Sequence, residues 1–360
     1  MNLDDLNTIQ RLDSHNMFGQ IKHVPDQLSD AWEIGQVLPL PDTATPRRVV
    51  IAGMGGSAMG GELAAKIAEP HSPAPIVIHR DYGLPAWARG PETFVIAISH
   101  SGETEETISA LRQAIENGCR VLVITTGGPL AQLASENGCP VWMYVHDDGQ
   151  GNPAQPRTAL GFMFGLALAA FYRLNLLPDP SADLAETLHA LRNQQTNLLP
   201  DTQIMFNPAK RMAGQMVGRW ITIFAADALA PVAKRWKDQV CEVAKAWAQC
   251  DALPEADHTT LAGLNNPESA LTQTMALFLA GSANHPRNRL RLDFTRELFM
   301  TQAVNTDTIT GRGDSLMAQM WTLLQFGDYT ASYLAIAYGE DPSVTEVVSM
   351  MKQALSSTHP

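Results

Sequence analysis

The chain has 360 residues, of which 45% are hydrophobic and 17% are charged, and its formal net charge at pH 7 is −12. This composition is typical of a globular protein, and the length is enough for two domains of ordinary size. The negative charge argues against nucleic acid and anionic membranes as partners, so an anionic ligand would need a locally positive pocket.

The first half of the sequence alternates between predicted strands and predicted helices. The strand segments are continuous apolar runs, which are typical of a parallel sheet covered on both faces. We predict strands at 48–52, 75–79, 94–98, 120–125 and 141–145, and helices at 60–68, 104–116 and 130–137.

Two of these strands run into turns that are rich in glycine or hydroxyl residues, and each turn opens a helix. Such a turn places backbone N–H groups and the positive end of a helix dipole around an anion. Two turns of this kind in one sheet suit a phosphate monoester better than a dinucleotide. The candidate phosphate-binding residues are Gly55, Gly56 and Ser57 in the first turn, and Ser99, Ser101 and Thr104 in the second.

Two simpler interpretations of these turns remain open. The spacing of Gly53, Gly55 and Ala58 also fits a loose dinucleotide-binding fingerprint, and Asp81 follows the next predicted strand as that fingerprint requires. The hydroxyls of the second turn could be ordinary helix N-caps, although one hydroxyl would suffice for a cap.

A loop rich in glycine and proline at 147–156 precedes an apolar helix at 159–172, which is too short to span a bilayer. The segment Leu177-Pro178-Asp179-Pro180 predicts a boundary between domains at 1–177 and 178–360, with a connecting helix at 181–198. In the second half we predict strands at 220–225, 273–280 and 301–308, and helices at 231–249, 286–300, 316–326, 330–338 and 344–355.

The pair of turns resembles the sugar-phosphate signature of sugar isomerase (SIS) domains. From about residue 19 to 355, the chain is similar to the bifunctional phosphoglucose/phosphomannose isomerases of archaea and bacteria. The resemblance implies an α/β fold with two SIS-type three-layer αβα domains, mainly parallel sheets and C-terminal helices. It also implies a hexose 6-phosphate substrate, no cofactor or metal, and a cytoplasmic homodimer acting in glycolysis and gluconeogenesis. The four cysteines form no CxxC or metal-type cluster, which agrees with reduced thiols in the cytoplasm.

Residues 234–245 resemble the helix that carries the catalytic base in this family. The block Arg235-Trp236-Lys237 matches the family pattern, and Glu242 falls on the catalytic glutamate. The amides that flank this glutamate in the family are replaced by Cys241 and Val243. Without the resemblance, this segment would be interpreted as a solvated helix face with charges at i,i+4 spacing.

Three further residues are assigned to the site through the same resemblance. His258 matches the family's Pro-Glu-x-x-His pattern, and there the histidine moves the ring-opening proton and comes from the other subunit of a dimer. Arg157 matches an active-site arginine that would stabilise the enediolate, and Lys352 matches a lysine placed in the site by the C-terminal helix. The alternatives are an exposed loop histidine, an arginine near a helix start and a solvated terminal lysine.

Beside His258, the residues Asp257 and Thr259 replace the family's usual amides, and Asp257 could raise the pKa of His258 if their side chains met. The leading hypothesis is an aldose–ketose isomerase that interconverts glucose 6-phosphate and mannose 6-phosphate with fructose 6-phosphate. Because the flanking amides are lost, a catalytically silent sugar-phosphate-binding regulatory protein is the alternative. A nicotinamide-dependent oxidoreductase built on the first turn is the third hypothesis.

Overall fold

In the computed structural model, residues 2–40, 42–148, 151, 154–347, 350–351 and 354 are described. In chain order the elements are α1 (Leu6–Leu12), α2 (Met17–Lys22), α3 (Val24–Val37), β1 (Arg48–Ala52), α4 (Gly55–Ala68), β2 (Ile76–His79), β3 (Thr93–Ser99), α5 (Glu105–Glu116), β4 (Arg120–Thr125), α6 (Gly128–Glu136), β5 (Val141–Met143), α7 (Leu160–Arg173), α8 (Ser181–Gln195), α9 (Pro208–Met216), β6 (Trp220–Ala226), α10 (Ala230–Glu242), β7 (Ala248–Leu253), α11 (Glu268–Leu271), β8 (Thr274–Ala280), α12 (Pro286–Thr301), β9 (Asn305–Thr310) and α13 (Leu316–Tyr338).

The chain divides into two compact units, each built on its own sheet. The five-stranded unit comprises Lys22–Arg192 and Arg312–Trp321, and the four-stranded unit comprises Met1–Ile21, Asn193–Gly311 and Thr322–Pro360. We predicted a boundary after residue 177. In the structure, most of α8 clusters with the first unit instead, and the first 21 residues cluster with the second.

The sheet of the five-stranded unit is parallel throughout, in the order β2-β1-β3-β4-β5. Its central strand β3 is buried along its whole length, as the continuous apolar run predicted. Small residues let the covering helices approach closely: a Cβ added to Gly60 of α4 would lie 2.6 Å from the Cβ of Met163 in α7. Because β1, β3 and β4 are parallel neighbours, the turns that follow their carboxyl ends lie side by side at one edge of the sheet.

The sheet of the four-stranded unit is also parallel, in the order β7-β6-β8-β9. One face is packed by aromatic rings, with Phe224 of β6 lying 5.2 Å from both Phe278 and Phe299 between ring centroids. The other predicted features of the fold class, parallel sheets and alternating strands and helices, are thus confirmed in both units.

Two predictions for the second half were wrong in detail. The helix predicted at 231–249 ends at Glu242, and residues 248–253 form the edge strand β7. The two helices predicted at 316–326 and 330–338 are one continuous helix, α13. The predicted helix at 344–355 falls partly outside the described residues.

Candidate active site

The first predicted turn joins β1 to α4 and leaves the start of that helix open. Gly55 begins α4 with a φ of +47°, and no side chain of the described residues caps this N-terminus. A Cβ added to Gly53 would lie 2.7 Å from the carbonyl oxygen of Ile98 at the end of β3, so only glycine fits there. The N–H groups of Gly55 and Gly56 therefore lie at an uncapped helix start, which is a favourable place for an anion.

The second predicted turn, after β3, is built from its own hydroxyl groups. The Ser99 and Thr104 hydroxyl oxygens lie 2.9 Å apart, and Ser99 Oγ accepts a hydrogen bond from Gly102 N at 3.1 Å. Ser101 is exposed, and its Oγ accepts from Glu103 N at 3.2 Å. Although Thr104 is the N-cap residue of α5, its side chain does not cap the helix. The hydroxyls thus shape the turn, which differs from the simple N-capping interpretation.

A direct contact joins the two turns. The backbone N–H of His100 donates to Ser57 Oγ at 3.2 Å. The carbonyl oxygen of His100 accepts from both Thr126 N and Thr126 Oγ1, at 3.2 and 2.6 Å, in a third turn that follows β4. The structure therefore brings Ser57, Ser99 and Thr104 into one connected group of turns at the carboxyl edge of the sheet.

Substituting Gly102 by Ala is expected to destabilise this group of turns. Gly102 has a φ of +66°, and an added Cβ would lie 1.8 Å from the Gly127 carbonyl oxygen in the third turn. Gly118 is a matched control, with a φ of +65° and nothing within 4 Å of its added Cβ. Both substitutions introduce backbone strain, and the clash at Gly102 should cost about 2 kcal/mol more. Chemical unfolding measures the difference, and equal losses for the two variants would contradict the expected clash.

Sequence analysis missed a half-buried pair of histidines beside the second turn. His100 Nε2 and His146 Nδ1 lie 3.0 Å apart. On its other side, His146 Nε2 lies 3.4 Å from both Gln27 Nε2 and Thr158 Oγ1. These distances place His146 within hydrogen-bond range of the other ring on one side and of a side-chain amide and a hydroxyl on the other. The side chains of Tyr144 and Phe162 stack beside the pair, with 4.9 Å between ring centroids.

Burial keeps both histidines neutral. Desolvation lowers the pKa of His100 to about 4. Desolvation also lowers the pKa of His146 to about 4, with a further contribution from His100 that Asp147 partly opposes. These two histidines are 46 positions apart along the chain. No local sequence pattern could therefore have shown that they lie in contact.

Arg157 lies in a short 3₁₀ helix, Pro156–Thr158, just before α7. It is 7% exposed, which is unusual for a guanidinium and requires polar partners. The next residue, Thr158, contacts His146. The histidine pair therefore links the second turn to the turn that carries Arg157.

In the four-stranded unit, Glu242 is the last residue of α10 and is half-buried. The preceding motif residues anchor this helix to α13. Arg235 forms a buried ion pair with Asp328 at 3.4 Å, and Trp236 Nε1 donates to the Leu323 carbonyl oxygen at 2.9 Å. A Cβ added to Gly327 would lie 2.5 Å from the Trp236 ring. The Arg-Trp part of the motif thus fixes the orientation of the helix that presents Glu242.

His258 is exposed at the end of a 3₁₀ helix, Glu255–His258, that follows β7. The sequence left open whether the side chain of Asp257 meets that of His258, and in the structure the Asp257 carboxylate binds α12. Its oxygens accept from Arg291 Nη1 and Thr295 Oγ1 of α12, each at 2.7 Å. Asp257 therefore attaches the His258 turn to α12.

Glu242 and His258 lie at opposite ends of β7. In parallel sheets the helix before a strand ends near that strand's start, whereas His258 follows its carboxyl end. The strand has six residues, which corresponds to about 20 Å. The structure does not bring these two side chains together within one unit.

Lys352 lies outside the described residues. Asp341, eleven residues before it, is described: Lys245 Nζ donates to the carbonyl oxygens of Val243 and Asp341. Among the described residues there is no group of three or more histidine, cysteine or acidic side chains that could hold a metal ion. Within the same residues, no helix is long and apolar enough to cross a membrane.

Comparisons with known proteins agree with the resemblance. A family described as the bacterial phospho-glucose isomerase C-terminal SIS domain matches residues 206–355, and the SIS domain family matches residues 44–139. A bifunctional phosphoglucose/phosphomannose isomerase of Caldicellulosiruptor bescii is 32% identical over 342 residues, covering 94% of this chain and 99% of that protein. One of Aquifex aeolicus is 31% identical, covering 87% of this chain and 92% of that protein.

A solved structure has a similar fold. A glucose-6-phosphate isomerase like protein from Thermus thermophilus superposes with a TM-score of 0.63 at 19% identity, covering 97% of this chain and 99% of that one. Several of the known relatives thus match nearly the whole length of the sequence, and not one sheet alone.

Proposed function

We propose the following roles for a chain that belongs to the bifunctional phosphoglucose/phosphomannose isomerase family. The protein is an enzyme, an aldose–ketose isomerase that interconverts glucose 6-phosphate and mannose 6-phosphate with fructose 6-phosphate. The observation that carries the proposed site is the connected group of turns around Ser57, Ser99 and Thr104, which offers backbone N–H groups and hydroxyls to a phosphate.

The phosphate is held by the two turns of the five-stranded unit. The N–H groups of Gly55 and Gly56 and the hydroxyls of Ser57 and Ser101 donate to its oxygens, while Ser99 and Thr104 keep the second turn in shape. Helix starts favour a dianion, which compensates for the negative net charge of the chain. Neutral His100 and His146 leave the hydrogen-bond network intact at physiological pH.

The chemistry then needs three proton or charge functions. His258 moves a proton between the ring oxygen and the anomeric hydroxyl, which opens the ring. Glu242 removes the proton from C2 of the aldose, and delivers it to C1 as the enediol collapses to the ketose. The guanidinium of Arg157 stabilises the negative charge of the enediolate, and Lys352 donates to the substrate oxygens. The carbonyl group moves within the sugar without an external oxidant or reductant, and the family resemblance implies that no cofactor or metal takes part.

The separation of Glu242 and His258 across β7 supports a dimeric enzyme. A homodimer lets His258 of one copy serve the Glu242 of another, as the family resemblance implies. We therefore propose that the protein is a homodimer. The family resemblance further implies that it acts on hexose 6-phosphates in the cytoplasm, in glycolysis and gluconeogenesis.

The direct test is an assay with fructose 6-phosphate that measures glucose 6-phosphate and mannose 6-phosphate separately. Formation of both products is expected. Binding of fructose 6-phosphate without any product would instead support the silent regulatory protein, and would point to Cys241 and Val243 beside Glu242 as the cause. Binding of a nicotinamide cofactor with no effect of sugar phosphates would support the oxidoreductase alternative.

Mixing two inactive variants tests whether His258 acts in the second copy. Glu242→Gln is expected to lower the activity by about 10³-fold or more, and His258→Asn by about 10²-fold or more. A dimer with one copy of each keeps one intact pair, so equilibrated mixtures should regain roughly a quarter of wild-type activity. His71→Asn, at an exposed histidine, is the matched control and should remain active. Failure of the mixture to regain activity, despite subunit exchange, would show that both residues act within one copy.

A further inference from the structure

His146 contacts the segment that carries Arg157 on both sides of the arginine. Its carbonyl oxygen accepts a hydrogen bond from Ala154 N at 3.4 Å, three residues before Arg157. Its ring nitrogen Nε2 lies 3.4 Å from Thr158 Oγ1, one residue after Arg157. The ring also lies edge-on to Phe162 in the first turn of α7, with 6.0 Å between ring centroids. The place of the Arg157 segment therefore depends on where His146 lies.

The position of the His146 ring depends in turn on His100. The two rings lie 3.0 Å apart, between Nε2 of His100 and Nδ1 of His146. Burial lowers the pKa of both rings to about 4, so both are neutral at physiological pH. A neutral imidazole has one donor and one acceptor nitrogen. Two neutral rings at this distance therefore share a hydrogen bond, whereas two charged rings would repel each other.

The backbone of His100 lies where the proposed phosphate-binding turns meet. Its N–H donates to Ser57 Oγ at 3.2 Å, and its carbonyl oxygen accepts from Thr126 N and Thr126 Oγ1. Because Ser57 Oγ accepts from this N–H, the Ser57 hydroxyl hydrogen is available for a phosphate oxygen. A hydroxyl that donates to a dianion becomes a better acceptor, so a bound phosphate strengthens the hydrogen bond from His100 N–H.

These contacts form one continuous link from the first turn to Arg157. Ser57 contacts the backbone of His100, the His100 ring contacts His146, and His146 contacts Thr158. Every residue of the link lies within the five-stranded unit, in the range Lys22–Arg192.

We propose that His100 and His146 are positioning residues, which set the place of the Arg157 guanidinium when a phosphate dianion binds at the first turn. The phosphate of the substrate then contributes to the transition state at the sugar carbons as well as to binding. Enzymes use the binding energy of a remote group in this way, and substrates that lack the group lose kcat. The inference rests on the proposed function, in which Arg157 stabilises the enediolate and the turns hold the phosphate.

A double-mutant cycle with Arg157 tests the positioning role. His146→Phe keeps a ring beside Phe162 but removes both ring-nitrogen contacts. It should lower kcat for fructose 6-phosphate by about 10- to 100-fold, with less than about a threefold change in KM. In an Arg157→Ala background the same substitution should change kcat by less than about twofold, because the group that it positions is absent. Equal losses of kcat in the two backgrounds would overturn the positioning role.

A core substitution far from the link is the matched control for stability. Val121 is buried near the start of β4, at the opposite edge of the sheet from the turns. Val121→Ala leaves a cavity in the same unit and lowers its stability, but kcat should be unchanged. A loss of kcat in Val121→Ala as large as that in His146→Phe would show that destabilisation alone explains the effect, and would overturn the proposal.

Nuclear magnetic resonance of the wild-type protein tests the link without turnover. With isotope-labelled histidine, the ring-nitrogen signals of His146, assigned with His146→Gln, should shift on titration with inorganic phosphate. The signals of His71, an exposed histidine, should not shift. In Ser57→Ala at saturating phosphate, the shift at His146 should be smaller, because the hydroxyl that connects phosphate to His100 is absent.

The outcomes of this titration separate the link from the proposed function. Phosphate binding that leaves the His146 signals unchanged would overturn the link, even in an active isomerase and even if His146→Phe does not fold. A phosphate-dependent shift in a protein without isomerase activity would support the link and contradict the proposed function. Absence of phosphate binding would contradict both.

Discussion

Replacement of Glu242 by Gln is expected to lower kcat by about 10³-fold or more, while the affinity for fructose 6-phosphate changes little. Glutamine has nearly the same shape as glutamate but cannot accept the proton that passes between C1 and C2. Sugar-phosphate affinity is assigned to backbone and hydroxyl groups around Ser57 and Ser99, which the substitution leaves unchanged. The measurement combines steady-state assays in both directions with calorimetric titration of fructose 6-phosphate.

Two further variants make this prediction specific. Glu268→Gln removes one charge at an exposed position of the same unit and should leave kcat unchanged. Exchange of solvent deuterium into C2 of glucose 6-phosphate should disappear in Glu242→Gln, because that exchange reports the proton transfer itself. Persistence of the exchange at a wild-type rate would remove Glu242 from the role of base, and would leave the isomerase activity to another group.

Sequence reasoning found the strands β1, β3 and β4, which are buried on both faces, and also the half-exposed edge strand β2, whose residues are mostly apolar. β3 and β4 are continuous apolar runs because helices cover both sides of the sheet, and their bounds were predicted to within one residue. β7 was missed because it lacks such an apolar pattern. It is the edge strand of its sheet, and its residues are mostly half-exposed, so its sequence has no apolar run.

The apparent break in α13 shows how tertiary contacts override local preference. Gly327 and Asp328 are poor helix formers, and the sequence predicts an interruption there. In the structure, Gly327 makes room for the Trp236 ring and Asp328 pairs with Arg235, which is 93 positions away along the chain. Both residues contact side chains of α10, and no local sequence pattern indicates these contacts.

Some features of the candidate site were predictable from local sequence patterns, and others were not. Although phosphate binding by Ser99 and Thr104 stays a prediction, the turn that holds their hydroxyls was predictable, because a turn after a buried strand is a local pattern. The environment of His258 was not, because its neighbour Asp257 binds two residues of α12 that are 34 and 38 positions away. The histidine pair beside the second turn was invisible for the same reason.

Protonation of the half-buried pair His100 and His146 is expected to destabilise the five-stranded unit at acidic pH. The pKa of each ring falls from 6.5 to about 4 on folding, so between these values the unfolded chain binds more protons than the folded one. Stability therefore rises with pH across this window and is lost as the pH falls from about 6.5 towards 4. These pKa values correspond to a cost of roughly 1–2 kcal/mol per ring between pH 7.5 and 5.5.

The charged neighbour that opposes this trend is Asp147, which favours protonation of His146, while Gln27, Thr158, Ser57 and Thr126 are neutral. The loss of stability should also disturb the phosphate site, because the backbone of His100 hydrogen-bonds to both adjacent turns. Urea unfolding at pH 7.5 and 5.5 measures the difference, and a His100→Gln, His146→Gln double variant should lose about 3 kcal/mol less over this interval than the wild-type protein.

His71→Gln, which removes an exposed histidine, should retain the wild-type pH dependence. If the double variant loses as much stability as the wild-type protein, the acid sensitivity belongs to carboxylates and the pair is not desolvated. If instead the pair carries it, sugar-phosphate affinity in the folded wild-type protein should weaken only below about pH 5, as the pH approaches the folded pKa of the two rings near 4. The phosphate's own second ionisation, near pH 6, contributes equally to both proteins and cancels in the comparison. The two histidines would then act as one unit, in which loss of neutrality opens the three turns that hold the phosphate.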